Sequence, residues 1–139
     1  MSAPDETDRP LPQVTAETAR FWEAAHAGRL LVQRCSACNH TQFYPRAFCT
    51  NCLSDKVKWM DASGLGSIYT YTVCRIAASP AFAGKLPLAV AMIDLDEGVR
   101  MLANIVDADI DRISVGARVA VCFERITETC TLPQFKLSD

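Results

Sequence analysis

Four cysteines set in two Cys-x-x-Cys pairs, Cys35/Cys38 and Cys49/Cys52, are the residues of this chain whose type and spacing point to chemistry. They bracket the run "CSACNHTQFYPRAFCTNC". A Cys-x-x-Cys turn offers two sulfurs to one side of a metal without strain, and two such turns complete a tetrahedron of soft ligands around Zn2+. Four thiolates leave no coordination position for water, so the expectation is one structural zinc per chain and not a hydrolytic centre. Iron in a rubredoxin-like site would use the same ligands. A redox dithiol is a weaker reading, because no thioredoxin-like βαβ pattern surrounds either pair.

Seven cysteines are an odd number for a disulfide framework, and paired Cys-x-x-Cys motifs in a reducing compartment hold metal. The opening "MSAPDETDRPLPQV" has no basic start followed by an apolar run, so it reads as a mobile tail over residues 1–14 and the protein as cytoplasmic. With 139 residues, 50% of them apolar, and a net charge of -2, the chain has room for one domain or two small ones, with neither disorder nor a membrane span.

The remaining candidates read more plainly. His40 follows the first pair closely, but a filled shell leaves it to solvent or to a hydrogen bond with a knuckle sulfur. His26 ends a helix, where the dipole favours an imidazolium. Cys74 and Cys122 lie among apolar strand neighbours and read as small hydrophobes, and Cys130 sits in the polar "TETCTLP" loop with no activating base nearby. There is no Gly-x-Ser-x-Gly, no phosphate-cradling glycine loop and no carboxylate pair in a context that would raise a pKa. No catalytic residue is named, and the chain is not expected to be an enzyme by itself.

The elements that must position the cysteines follow from pattern. "TAETARFWEAAH" predicts a helix from Thr15 to His26, capped by Thr15 and ended by Gly28, with the adjacent bulky rings of Phe21 and Trp22 to bury. "RLLVQRC" and "TQFYPRAFC" read as strands leading into the two pairs, and "KVKWMD" as a half-exposed third strand. "ASGLGS" marks a module boundary. Beyond it "IYTYTVCRI", "LAVAMIDL", "VRMLANIV", "ARVAVCFERI" and "PQFKL" read as five strands, the second covered on both faces and the last a short edge strand starting at its proline. Asp96-Glu97-Gly98 makes a tight hairpin, and "DADIDRISVG" a helical turn ended by glycine. The fold class expected is mainly β: an N-terminal helix (15–29), a rubredoxin-like zinc ribbon (30–61) and a five-stranded OB-fold barrel (62–139), with a flat sandwich the alternative. The connection "AASPAFAGKLP" is long, apolar and built around Phe82, as binding loops often are.

Taken together, "FWEAAHAGRLLVQRC", the cysteine run, "SGLGSIYTYTV", "PLAVAMIDLDEGVRMLANIV", "ISVGARVAVCFE" and "LPQF" resemble the zinc-ribbon plus OB-fold family of acyl-CoA-associated proteins once filed as a domain of unknown function. The match runs from about Phe21 to Phe135. The resemblance implies an accessory subunit of thiolases, ketoacyl-synthase-like enzymes or thiolase-fold aldolases, forming a hetero-oligomer in which the partner carries the catalytic groups. It implies that ribbon and helix dock on that partner, while the barrel helps shape a channel for coenzyme A and the acyl chain. On this reading Phe21, Trp22, Phe43, Tyr44 and Arg46 are docking residues, and Phe82 and Lys85 meet a pantetheine arm and an anionic group. Packing of the aromatic pair inside the protein, and a solvated Arg46, stand as the alternatives.

Two rival functions remain on the residues alone. Zinc ribbons and OB folds both serve nucleic acids, but the basic track that such grooves need is broken here by Asp94, Asp96, Glu97, Asp107, Asp109 and Asp111. A rubredoxin-like electron carrier is the other rival.

Overall fold

The computed structural model describes residues 10–138, so the start of the expected N-terminal tail lies outside the described residues. Helix α1 spans Ala19–His26, shorter than the Thr15–His26 expected. Thr15 heads a tightened turn before it: its carbonyl accepts from the N–H groups of both Thr18 and Ala19, and its own N–H donates to Thr18 Oγ1 at 2.9 Å. The helix stops where the sequence indicated, with Gly28 at φ 81° and Arg29 N–H reaching back to Ala24 O at 2.8 Å.

Three antiparallel strands follow, β1 (Leu31–Cys35), β2 (Thr41–Gln42) and β3 (Val57–Asp61), in the order β2-β1-β3. The strand expected over "TQFYPRAFC" shrinks to its first two residues. From Phe43 onward side-chain amides, and no ladder, hold the backbone.

Five further strands, β4 (Leu65–Cys74), β5 (Leu88–Leu95), β6 (Arg100–Ile105), β7 (Arg118–Arg125) and β8 (Thr131–Leu137), close into a barrel in the order β4-β5-β6-β8-β7, as the OB type requires. A register shift between Ile68 and Thr70 bends β4, which pairs with β5 from Gly66 to Cys74 while its first residues, Leu65 to Ser67, also pair with β7 on the other side. Two expectations are corrected here. β5 is not covered equally on both faces: Ala89, Ala91, Ile93 and Leu95 are buried, and the residues between them are half-buried. β8 is not an edge strand, since it pairs with β7 along its whole length and meets β6 in parallel at Ile105 and Phe135. Pro133 is tolerated in mid-strand because its nitrogen faces the side where β8 and β6 separate.

The glycines of the expected boundary are points of close approach. Gly64 adopts φ 79° with its Cα against Val121, and a Cβ on Gly66 would lie 2.5 Å from Asp94 O. Hydrogen bonds fix the segment from both sides: Ala62 N–H to Leu30 O, Ser63 N–H to Glu97 Oε2, and Val121 N–H to Gly64 O, each at 2.8 Å. Helix, ribbon and barrel also share one apolar core, in which Phe21, Leu30, Val32 and Phe43 join Ile68, Ile93, Met101, Val119 and Phe135. The metal ribbon is therefore rigidly mounted on the barrel. Among the described residues no helix is long and apolar enough to cross a membrane.

Candidate metal centre and docking cleft

The two cysteine turns are built alike. Cys35 O accepts from Asn39 N–H and Cys49 O from Leu53 N–H, both at 2.9 Å, while Cys35 N–H and Cys49 N–H bond forward to His40 O and Ser54 O. Asn39 and Leu53, each just after a second cysteine, both sit at φ 64°. Each turn also points an N–H at its first sulfur, Ala37 at Cys35 Sγ and Asn51 at Cys49 Sγ, both at 3.3 Å. This related pair of knuckles brings all four sulfurs within 4.8 Å of one another.

A tetrahedral shell with Zn–S near 2.3 Å separates its sulfurs by about 3.8 Å. Cys35 Sγ to Cys52 Sγ and Cys38 Sγ to Cys49 Sγ are both 3.6 Å, so the four residues fit such an ion. The electrostatics agree. Asn51 Nδ2 and the His40 N–H hold the Cys38 thiol well below its ordinary range, to about 6. At Cys52 the Ser54 backbone pulls the pKa down, but Cys38, burial and the other two thiols push it up to about 12. Four crowded thiols cannot all ionise without a cation among them. The His40 imidazole takes no part: its Nε2 lies 3.3 Å from Thr50 Oγ1, not against a sulfur.

Between the pairs, two buried glutamines shape the loop. Gln33, on β1, donates from Nε2 to Arg46 O and accepts Arg46 N–H at Oε1, at 3.1 and 2.9 Å. Gln42 donates to Gln33 Oε1 at 2.9 Å and to Phe48 O at 3.3 Å, and accepts from both Thr50 N–H and Thr50 Oγ1. Sequence reasoning passed over both residues. A polar side chain between Val32 and Arg34 in a strand leading into a metal turn was the available signal.

The docking candidates divide. Phe21 (5% exposed) and Phe43 (9%) are largely interior, meeting edge to face with centroids 5.5 Å apart, as the packing alternative had it. Trp22 is half-buried and Tyr44 is 53% exposed. All four line one open apolar cleft of about 340 Å3, where the helix, the loop between the cysteine pairs and strands β6 and β8 converge. Leu102 on β6, 55% exposed, adds to its rim and was not anticipated. Arg46 lies just outside, exposed, its Nη1 donating to Pro45 O at 3.0 Å.

Phe82 and Lys85 line a second cleft of about 210 Å3, formed by the 3-10 turn Pro80–Lys85 against the end of β6 and Gln134 of β8. Phe82 is half-buried, and the carboxylates of Asp107 and Glu124 line the same cleft as Lys85. Asn104 and Gln134 line both clefts. Two of the barrel's surface arginines are engaged elsewhere: Arg100 holds Asp94 at 2.6 Å and covers the Tyr69 ring, and Arg118 holds Asp96 at 2.8 Å. His26 ties the helix to β8 through Thr131 Oγ1 at 2.9 Å. Burial pushes the Cys122 thiol up, in keeping with a packing role.

Known proteins share this arrangement. Residues 22–58 match the family model for the rubredoxin-like zinc ribbon domain of ChsH2, and residues 59–124 the model for its C-terminal OB-fold domain. A DUF35 domain-containing scaffold protein of Methanothermobacter thermautotrophicus is 32% identical over 114 residues, 81% of this chain and 85% of that protein. A probable enoyl-CoA hydratase alpha subunit of Thermomonospora curvata is 34% identical over 92% of this chain, which spans only 40% of that relative's length. The solved Ltp2-ChsH2(DUF35) aldolase superposes with a TM-score of 0.81 at 33% identity, covering 91% of this chain and 98% of the matched one.

Proposed function

The chain belongs to the DUF35 family, with the zinc ribbon and OB-fold domains of ChsH2, and from that premise we propose that it is a non-catalytic, zinc-binding accessory subunit that docks on a thiolase-like acyl-CoA enzyme. The observation that carries the reading is the apolar cleft rimmed by Trp22, Tyr44 and Leu102 on a rigidly mounted ribbon. Rings with an apolar body and a polar tip, half-exposed around a cleft, are the usual anchors of a protein interface. The names of two relatives, a hydratase alpha subunit and an Ltp2-ChsH2 aldolase, support a place beside a second subunit.

In this reading Cys35, Cys38, Cys49 and Cys52 hold Zn2+, which supplies on the order of 10 kcal/mol of folding free energy to a ribbon too small to stabilise itself. The metal has no open position and takes no part in chemistry. The ribbon ends at about Asp61 and the barrel begins at Ala62. Trp22, Tyr44 and Arg46 meet the partner, and Phe82 and Lys85 border the path of the coenzyme A thioester. The complex is cytoplasmic, and its reaction belongs to the partner.

The test is co-expression with a thiolase-fold enzyme of the same organism, comparing wild type with a Trp22→Asp, Tyr44→Asp double variant. Co-elution of the wild type alone, with both forms folded by circular dichroism, supports the reading. Equal co-elution of the two forms, or of neither, contradicts it.

A further inference from the structure

Backbone groups along β6 point alternately to β5 and to β8, and two bonds fix the phase. Leu95 N–H donates to Val99 O across the β5–β6 turn at 2.8 Å, and Val106 N–H donates to Phe135 O on β8 at 2.8 Å. Odd-numbered residues of β6 therefore bond to β5, and Leu102 aims its backbone at β8. The only registered pair between these strands is Ile105 with Phe135, in parallel. Continuing that register sets Ala103 against Pro133, whose N–H would be the donor to Leu102 O in a regular parallel ladder. Proline has none. Leu102 C=O is left without a donor on β8, and the strands part into the apolar cleft lined by Met101–Asn104 and Leu132–Gln134.

A second observation lies at the point of separation. Gln134 is 4% exposed, lines both clefts, and makes no side-chain hydrogen bond to any described residue. Its carboxamide is not among the enclosed polar atoms left without a partner, so it opens onto the clefts and is available to an occupant. It offers both donors and an acceptor.

A carbonyl free on a strand edge, a carboxamide that opens onto the clefts without a side-chain bond of its own, and an apolar floor between them fit one kind of occupant. We infer that the β6–β8 seam receives an extended segment of the partner protein, added as a strand beside β6, its N–H groups pairing with Leu102 O and its backbone amide with Gln134. This is recognition by strand addition, where main-chain bonds give affinity and alternate side chains fill apolar pockets. A small acyl amide would satisfy Gln134 but leave the β6 edge bare. The inference rests on the reading of this face as a docking face; its test uses the zinc-loaded chain alone, so its failure is distinguishable from failure of complex formation.

The probe is the capped heptapeptide Lys-Val-Thr-Val-Thr-Val-Lys, titrated into isotope-labelled full-length chain and followed by NMR. The expected result is saturable binding, with cross-strand contacts between peptide amide protons and the Leu102–Ala103 backbone, and movement of the Gln134 side-chain amide signal. N-methylation of the central valine, and Gln134→Leu, each weaken binding about tenfold, the effect of one lost hydrogen bond. Gln134→Glu, which keeps an acceptor, loses less and guards against a misfolded leucine variant. No saturable binding at millimolar peptide, or binding indifferent to N-methylation, overturns the inference. So does octanoyl-pantetheine moving the Gln134 signal at lower concentration than the peptide, which would assign the seam to a small acyl amide.

Discussion

Phe21 on the helix and Phe43 on the loop between the cysteine pairs meet edge to face at 5.5 Å, and both pack into the core that the barrel also uses. The contact joins three elements that a sequence reading treats as separate modules. Truncation of either ring should therefore be felt at the metal. Phe43→Ala is expected to cost about 3 kcal/mol or more by urea denaturation. It should also speed the loss of zinc to a chelator, read with a coloured metal indicator.

Gln42 makes four hydrogen bonds, one to the Gln33 side chain on β1 and three to Phe48 and Thr50, and no apolar residue of its size can replace them. Gln42→Leu leaves Thr50 N–H and Phe48 O unpaired, and should cost about 2 to 3 kcal/mol. Thr50→Val removes only the hydroxyl and should cost under about 1 kcal/mol. Equal losses would show that the network is not centred on Gln42.

Leu53 holds φ 64° with its side chain 72% exposed, so the left-handed backbone is unsupported by packing. The related position in the first knuckle is Asn39, a residue that tolerates this conformation. Leu53→Gly should raise stability by about 1 kcal/mol without altering zinc stoichiometry. A loss of stability would mean that Leu53 makes a contact in solution that offsets the strain.

Arg29 and Asp61 pair through two bonds, at 2.9 and 3.0 Å, across the end of the ribbon. The hydrogen bond from the Arg29 guanidinium holds the Asp61 carboxyl below its ordinary value. A carboxylate with a depressed folded pKa contributes stability above its unfolded pKa and loses it as pH falls through the folded value. Wild type should therefore exceed Asp61→Asn in urea midpoint at neutral pH. The gap should close below the ordinary carboxylate range and narrow in high salt, because both groups are exposed.

Much of this was legible in the sequence where local rules decide. The cysteine spacing gave the knuckles, Gly28 the end of the helix and Asp96-Glu97-Gly98 the hairpin, because each depends on a few adjacent residues. What escaped depends on partners far along the chain. Phe21 is interior because Phe43 and the barrel cover it, and nothing within a turn of Phe21 says so. Gln33 and Gln42 read as ordinary strand residues until the loop folds over them. Pro133 suggested an edge, and only the closed barrel reveals that its missing N–H faces a gap. Leu102 and Gln134 became significant for the same reason.

The central claim is that this chain completes another enzyme. The most direct measurement is light scattering on the zinc-loaded chain co-expressed with a thiolase-fold enzyme of the same organism, with that enzyme's turnover of its acyl-CoA substrate measured in the same fractions. The account predicts one hetero-oligomeric species with about one zinc per copy of this chain, and activity that falls when the chain is omitted. Two separately eluting proteins at micromolar concentration, with the enzyme fully active alone, would contradict it.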